Sequence, residues 1–165
     1  AKVAVRAAIT GHLVLSTLHS NSAVGAITTL RQMDIPTYQL GASILGVISQ
    51  RLIRRTCDHC AEEVEPDEVR LRAVGIEPDE VKKIRQGKGC QHCFNSGYLG
   101  RTGIFEILAV DENVRLAILR DAPESELFEL AVEGGMIPIQ ESARRAVRNG
   151  ITTPEEVGAI LLAGP

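Results

Sequence analysis

The sequence predicts an α/β fold interrupted by a cysteine-bearing segment and closed by a helical C-terminal tail. Three observations predict it. A short apolar run at 12–18 is followed by two stretches with apolar residues at helical spacing. Residues 54–103 lose that spacing and are punctuated by Pro66, Pro78 and repeated glycines. From residue 112 onward, helix-spaced apolar residues return.

In chain order, residues 3–9 read as helix, stopped near Gly11. The run 12–18, HLVLSTL, is partly β-branched and bounded by Gly11 and Ser20-Asn21, which predicts a buried strand of a parallel sheet. Ser20 or Asn21 is placed to cap a helix carrying Val24, Ile27, Leu30 and Met33 on one face. Pro36 opens a second helix, with Leu40, Ile44, Val47, Ile48 and Leu52 at helical spacing. Residues 104–110 alternate as a strand. Helices are expected over 112–120, over 125–133 with Ser125 as cap, over 139–149 up to Gly150, and over 154–162.

Composition limits what the chain can do. With 165 residues it has the size of one domain. Hydrophobic residues at 44% and charged residues at 24% are those of a packed chain, so disorder is excluded. Aromatic residues are 3%, with no Trp, so the core is aliphatic and base-stacking platforms are not expected. The net charge of −3 gives a nucleic-acid partner no electrostatic support. Residues 57–93 hold nine acidic and six basic residues, net −3, whereas the remainder balances at twelve of each. The acidic excess therefore sits in one segment, marking 57–93 as a unit between 1–56 and 94–165. No apolar run approaches the roughly 18 residues of a membrane-spanning helix. The text before Gly11 is no signal peptide, being broken by Arg6 and followed by His12. A first residue Ala1 and an uncapped helix at 3–9 lead us to expect part of a longer protein.

All four cysteines fall in two pairs, Cys57-Asp58-His59-Cys60 and Cys90-Gln91-His92-Cys93. A CxxC turn aims two sulfurs at one point, and two such knuckles complete a tetrahedral zinc shell. Redox pairs or disulfides are the alternatives, although the strand-to-helix start of a redox motif is missing. Four thiolates leave no open coordination position, so the Zn²⁺ expected at Cys57, Cys60, Cys90 and Cys93 is structural. His59 and His92 lie inside the knuckles and are expected to be solvated rather than ligating.

The run TGHLVLSTLHSNSA at 10–23 resembles the histidine box of the secretion ATPase superfamily. Gln50-Arg51-Leu52, the two CxxC pairs, and Gly97-Tyr98-Leu99-Gly100-Arg101-Thr102-Gly103-Ile104-Phe105-Glu106 together resemble its type II secretion and type IV pilus assembly branch. The resemblance covers nearly the whole chain. It implies the C-terminal part of a RecA-like ATPase core with an inserted zinc-binding subdomain. It also implies a cytoplasmic ring, usually a hexamer, peripheral to the bacterial inner membrane and working on inner-membrane platform proteins. His12 and His19 match the box histidines, implying a role in sensing phosphate. Thr10, Gly11 and Arg101 are further candidates toward nucleotide, and Arg51, Arg54 and Arg55 toward nucleotide or neighbouring subunits.

The resemblance also implies ATP and Mg²⁺ as ligands of the longer protein. This chain carries no GxxxxGK[ST], and its lysines, Lys2, Lys82, Lys83 and Lys88, follow no such loop. Alone, it is not expected to hydrolyse ATP. The alternative is a stand-alone zinc-stabilised protein-interaction module with no nucleotide chemistry; a zinc-dependent nucleic-acid binder is opposed by the acidic segment.

Overall fold

The computed structural model describes residues 1–162. They form two compact units, one from Ala1–Ser49 with Glu106–Pro138, the other from Gln50–Phe105 with the stretch from Ile139 onward. The chain leaves the first unit along strand β1 (Gly46–Thr56) and re-enters it along strand β4 (Tyr98–Ala109); these two strands pair with each other. The expected mixed α/β class is found, compatible with the C-terminal part of a RecA-like core. Among the described residues the sheets are two two-stranded ribbons. Among the described residues no helix is long and apolar enough to cross a membrane.

The first unit contains helices α1 (Lys2–Ile9), α2 (Ala23–Gln32) and α3 (Thr37–Ser43), and, after the return of the chain, α5 (Glu112–Leu119) and α6 (Glu124–Glu133). Its core is aliphatic, built on Val24, Ile27, Leu40, Leu108, Ile118 and Leu127. The cap of α2 is Ser22, one residue beyond the expected pair; its hydroxyl accepts the Gly25 N–H at 2.9 Å. Helix α6 begins one residue before Ser125, with Pro123 at the cap.

Two expectations fail here for physical reasons. The second helix ends at Ser43, and Val47, Ile48 and Leu52 lie on β1. Ile44, Ile48 and Leu52 are four apart, a spacing that suits a helix and is also a multiple of the strand period. Pairing with β4 decides between them: the Val110 N–H donates to the Leu45 carbonyl at 3.0 Å, and a Cβ on Gly46 would stand 2.9 Å from the Leu108 carbonyl oxygen. The expected buried strand at 12–18 is also absent. That stretch has no regular structure, and Leu13, Leu15 and Leu18 are 77%, 88% and 37% exposed. A parallel strand needs hydrogen-bonded neighbours, and among the described residues no strand pairs with this run.

The second unit contains β2 (Ala61–Val64), α4 (Glu68–Ala73), β3 (Ile84–Gly87), α7 (Ile139–Arg148) and α8 (Pro154–Leu162), together with the larger part of β4. Ile53, Leu71, Ile76, Ile104, Val147 and Val157 form its core. Strands β2 and β3 pair antiparallel with Ala61 opposite Gly87 and Val64 opposite Ile84. Neither strand nor α4 was legible in the 57–93 text, because each is only four to six residues long.

Besides α1, five helices end alike. The N–H two residues past the cap returns to a carbonyl five positions back; the residue carrying it is buried in four of them, Ile35, Ile76, Ala122 and Met136, and exposed in the fifth, Ile151 after α7. This is the Schellman closure with its usual apolar contact.

Candidate functional sites

The candidate metal centre lies in the second unit and is assembled by the β2–β3 ladder. Cys60 directly precedes β2, and β3 ends three residues before Cys90. Pairing Ala61 with Gly87 therefore brings the two knuckles side by side. The Lys88 N–H donates to the Cys60 carbonyl at 3.2 Å, and the Cys57 N–H to the Gly97 carbonyl at 2.9 Å. The backbones touch at Gly87 and Gly97: a Cβ on Gly87 would fall 2.2 Å from the Gly97 oxygen. Each knuckle turns on itself, Cys60 N–H to the Cys57 carbonyl at 3.2 Å and Cys93 N–H to the Cys90 carbonyl at 3.3 Å. After the second, Phe94 and Asn95 both adopt the left-handed conformation, which lets the Asn95 N–H reach the Cys90 carbonyl at 2.9 Å.

The four Sγ atoms lie within 4.8 Å of one another. Cys57–Cys90, Cys60–Cys93 and Cys90–Cys93 are 3.9, 3.8 and 3.7 Å apart. A tetrahedron with metal–sulfur bonds of 2.3 Å has an edge of about 3.8 Å, so this donor set fits a tetrahedral thiolate ion such as Zn²⁺. The same separations far exceed a disulfide bond, and all four thiols are free. Burial pushes the Cys60 thiol up to about 12, against the Gly89 N–H. Burial also opposes ionisation of Cys93, but the N–H groups of Cys90 and Gly97 and the neighbouring thiols outweigh it and draw that group down to about 6. A cation held by the four sulfurs would favour their thiolate forms. His59 and His92 lie outside this shell. Their exposed rings stack on each other, centroids 4.1 Å apart and planes 21° apart.

The histidine segment lies in the first unit. Thr10, Gly11 and His12 form the C-terminal stop of α1: the Gly11 N–H donates to Ala8 at 3.0 Å and the His12 N–H to Ala7 at 3.2 Å, with Gly11 at φ +97°. The Thr10 hydroxyl donates to the Ala7 carbonyl at 2.8 Å and lies 3.2 Å from His12 Nδ1. This is the closure described above, except that the residue in the apolar position is an exposed histidine. His19 is exposed as well, in irregular backbone.

The arginines divide. Arg54 pairs with Glu156 and lies 4.3 Å over the Tyr98 ring; Arg55 reaches Asp58 at 3.7 Å. Arg51 is half-buried on β1, and Arg101 stands exposed on β4 just after Gly100.

A sequence model of the family described as "Type II/IV secretion system protein" matches residues 1–159. The chain belongs to this family. Its relatives include the type IV pilus assembly ATPase PilB of Thermus thermophilus, 44% identical over 159 residues, covering 95% of this chain and 18% of that protein. The type II secretion system protein E of Pseudomonas aeruginosa is 43% identical over 157 residues, covering 95% and 31%. The type II secretion system ATPase E of Vibrio cholerae is 41% identical with the same coverage. The chain thus spans less than a third of the length of these curated relatives. The family assignment agrees with the motif resemblance, and the four clustered cysteines could hold a metal ion.

One contact escaped the sequence reading. Glu106 was only the last letter of a motif there. In the structure its carboxylate accepts the Ala23 N–H at 2.8 Å, across 83 residues of chain.

Proposed function

We propose that this chain acts as the C-terminal part of the motor of a longer ATPase, a hexameric ring in the cytoplasm at the bacterial inner membrane. ATP hydrolysis there would drive inner-membrane platform proteins in type II secretion or type IV pilus assembly. The observation that carries the reading is the similarity running unbroken over 1–159, through both the 10–23 segment and the tetracysteine site, to proteins named as ATPases of these two systems.

Within this reading, 1–56 and 94–165 belong to the motor core and its helical tail, and 57–93 is a zinc-binding subdomain. Cys57, Cys60, Cys90 and Cys93 hold the zinc structurally, because a full thiolate shell offers no place for substrate. His12 and His19, with Thr10 and Gly11, face nucleotide, and Arg101 is a separate candidate toward it. Support comes from the exposure of His12 and His19 on irregular backbone of the first unit; Arg101 is exposed on β4 in the second unit. ATP with Mg²⁺ supplies the phosphoryl group; the role of this chain is to read its state. A neutral imidazole donating to a phosphate oxygen changes its contribution when that oxygen departs, and so couples hydrolysis to the conformation of the segment.

The test is His19→Ala in the full-length protein, with nucleotide affinity, turnover and melting temperature measured together. Affinity is expected to change by no more than about 0.5–1.5 kcal/mol, the worth of one hydrogen bond. Turnover is expected to fall by roughly 10- to 1000-fold, since a donor placed for the transition state contributes about 1.4–4 kcal/mol. A lower melting temperature with unchanged turnover per folded molecule makes His19 structural. A full-length protein that neither binds nor hydrolyses ATP overturns the motor reading and leaves the zinc-stabilised interaction module.

A further inference from the structure

Glu106 is the one charged side chain found buried among the described residues, with 2% of its surface exposed. It lies on β4, and its Oε1 accepts the N–H of Ala23, the first residue of α2. An ionised carboxylate is costly to bury unless something offsets its charge, and the N-terminal end of a helix does so. Capping alone does not require it here, because the Ser22 hydroxyl already accepts a first-turn N–H from Gly25. What Glu106 adds is a tie between β4 and the point where α2 begins, four residues after His19.

That point matters because of what precedes it. Residues 12–20 have no regular structure and their leucines are exposed. Order enters at the root of the segment: the Ser20 hydroxyl donates to the Ser22 carbonyl at 2.9 Å, Ser22 caps the helix, and Ala23 is held by Glu106. We infer that Glu106 is a positioning residue for His19: it anchors the C-terminal root of the histidine segment to β4, so that movement of one is transmitted to the other. The inference rests on the sensing role proposed for His19.

The test uses the full-length protein with Glu106→Gln, Glu106→Ala, His19→Ala and the Glu106→Gln/His19→Ala double variant. Glutamine keeps an acceptor oxygen and the shape but removes the charge. Its kcat is expected to fall about 10-fold, and that of Glu106→Ala about 100-fold, the scale of a misplaced group, with KM for ATP within about twofold. The double variant is expected to turn over within about twofold of His19→Ala alone, because both changes act through the same histidine. Hydrogen exchange in Glu106→Gln is expected to speed up across 19–25 while α5 and α6 keep their protection. Additive losses in the double variant overturn the inference, as does unchanged exchange at 19–25. Normal turnover by His19→Ala sinks the sensing role itself, an outcome read independently of whether exchange shows the tie.

Discussion

The two units are stabilised in different ways. The first relies on aliphatic packing: Ile27, Leu40 and Ile118 are fully buried and adjoin helices on several sides. The second has a comparable aliphatic core around Ile53, Leu71 and Ile76, but it also carries a separate, smaller cluster. There the buried cluster consists of the cysteines themselves. Around them the side chains are charged, with Glu62–Lys88, Glu63–Lys83 and Asp58–Arg85 ion pairs across short strands. Exposed pairs of this kind contribute little. Where large apolar residues are few, a bound metal can crosslink the chain, and the four converging sulfurs are placed to hold one. The lesson is that a metal site can substitute for a core where a stretch is too short and too polar to build one.

The largest expected effect comes from removing the metal. Structural zinc contributes on the order of 10 kcal/mol of apparent binding energy at neutral pH. Chelation, or Cys57→Ser, is expected to release about one zinc per chain and to open 57–65 and 85–97 to hydrogen exchange, while α2, α3 and α5 of the first unit keep their protection. Purified protein never exposed to chelator but holding well under half an equivalent of zinc by elemental analysis contradicts this.

Core truncations come next and separate the units. Ile27→Ala and Leu71→Ala each remove a fully buried side chain and are expected to cost about 2–5 kcal/mol. Ile27→Ala is expected to leave zinc content unchanged, whereas Leu71→Ala lowers the chelator concentration needed to strip the metal. Equal effects of both variants on metal retention remove the distinction.

Gly87→Ala sharpens the link between backbone and metal. The new Cβ would collide with the Gly97 carbonyl, which accepts the Cys57 N–H. Relief requires backbone movement, expected to cost about 1–3 kcal/mol. A parallel loss of zinc affinity, measured by competition with a chromophoric chelator, distinguishes this from simple destabilisation; unchanged affinity shows that the knuckle absorbs the shift.

Acid is expected to have the smallest effect. In the second unit the Glu77 N–H, against burial, together with Arg148 holds the Glu80 carboxyl below its ordinary range. There, too, the Thr153 hydroxyl and Arg70 overcome burial to lower Glu155. In the first unit, the hydrogen bond from Arg120 lowers Glu126. A carboxyl depressed in the folded state stabilises above its unfolded pKa, near 4.3, and the contribution disappears as pH falls through the folded value. Melting followed from about pH 7 to about pH 3 on metal-free protein should therefore decline slightly more for the second unit, and less in high salt, since these groups are solvent-screened. A melting temperature that rises with acid reverses the sign and rejects the argument.

Much was legible in residues taken singly or in short windows. The cysteine pairs pointed to a metal centre because spacing within a knuckle is a local property and no cysteine was left over. Helices α5, α6, α7 and α8 appeared within a residue or so of their expected bounds, since their apolar spacing is local. The family resemblance came from short motifs for the same reason. Tertiary structure decided the rest, wherever two distant stretches had to meet. Ile44, Ile48 and Leu52 suited helix and strand equally until β4 supplied hydrogen bonds. The apolar run at 12–18 had strand composition but no strand to pair with. The β2–β3 ladder, which brings Cys60 beside Cys90, depends on a register between residues more than 20 apart. The contact of Glu106 with Ala23 spans 83 residues. Local periodicity reports which face of an element is apolar; only packing determines what that face meets, and there a single carboxylate could be buried against a helix end.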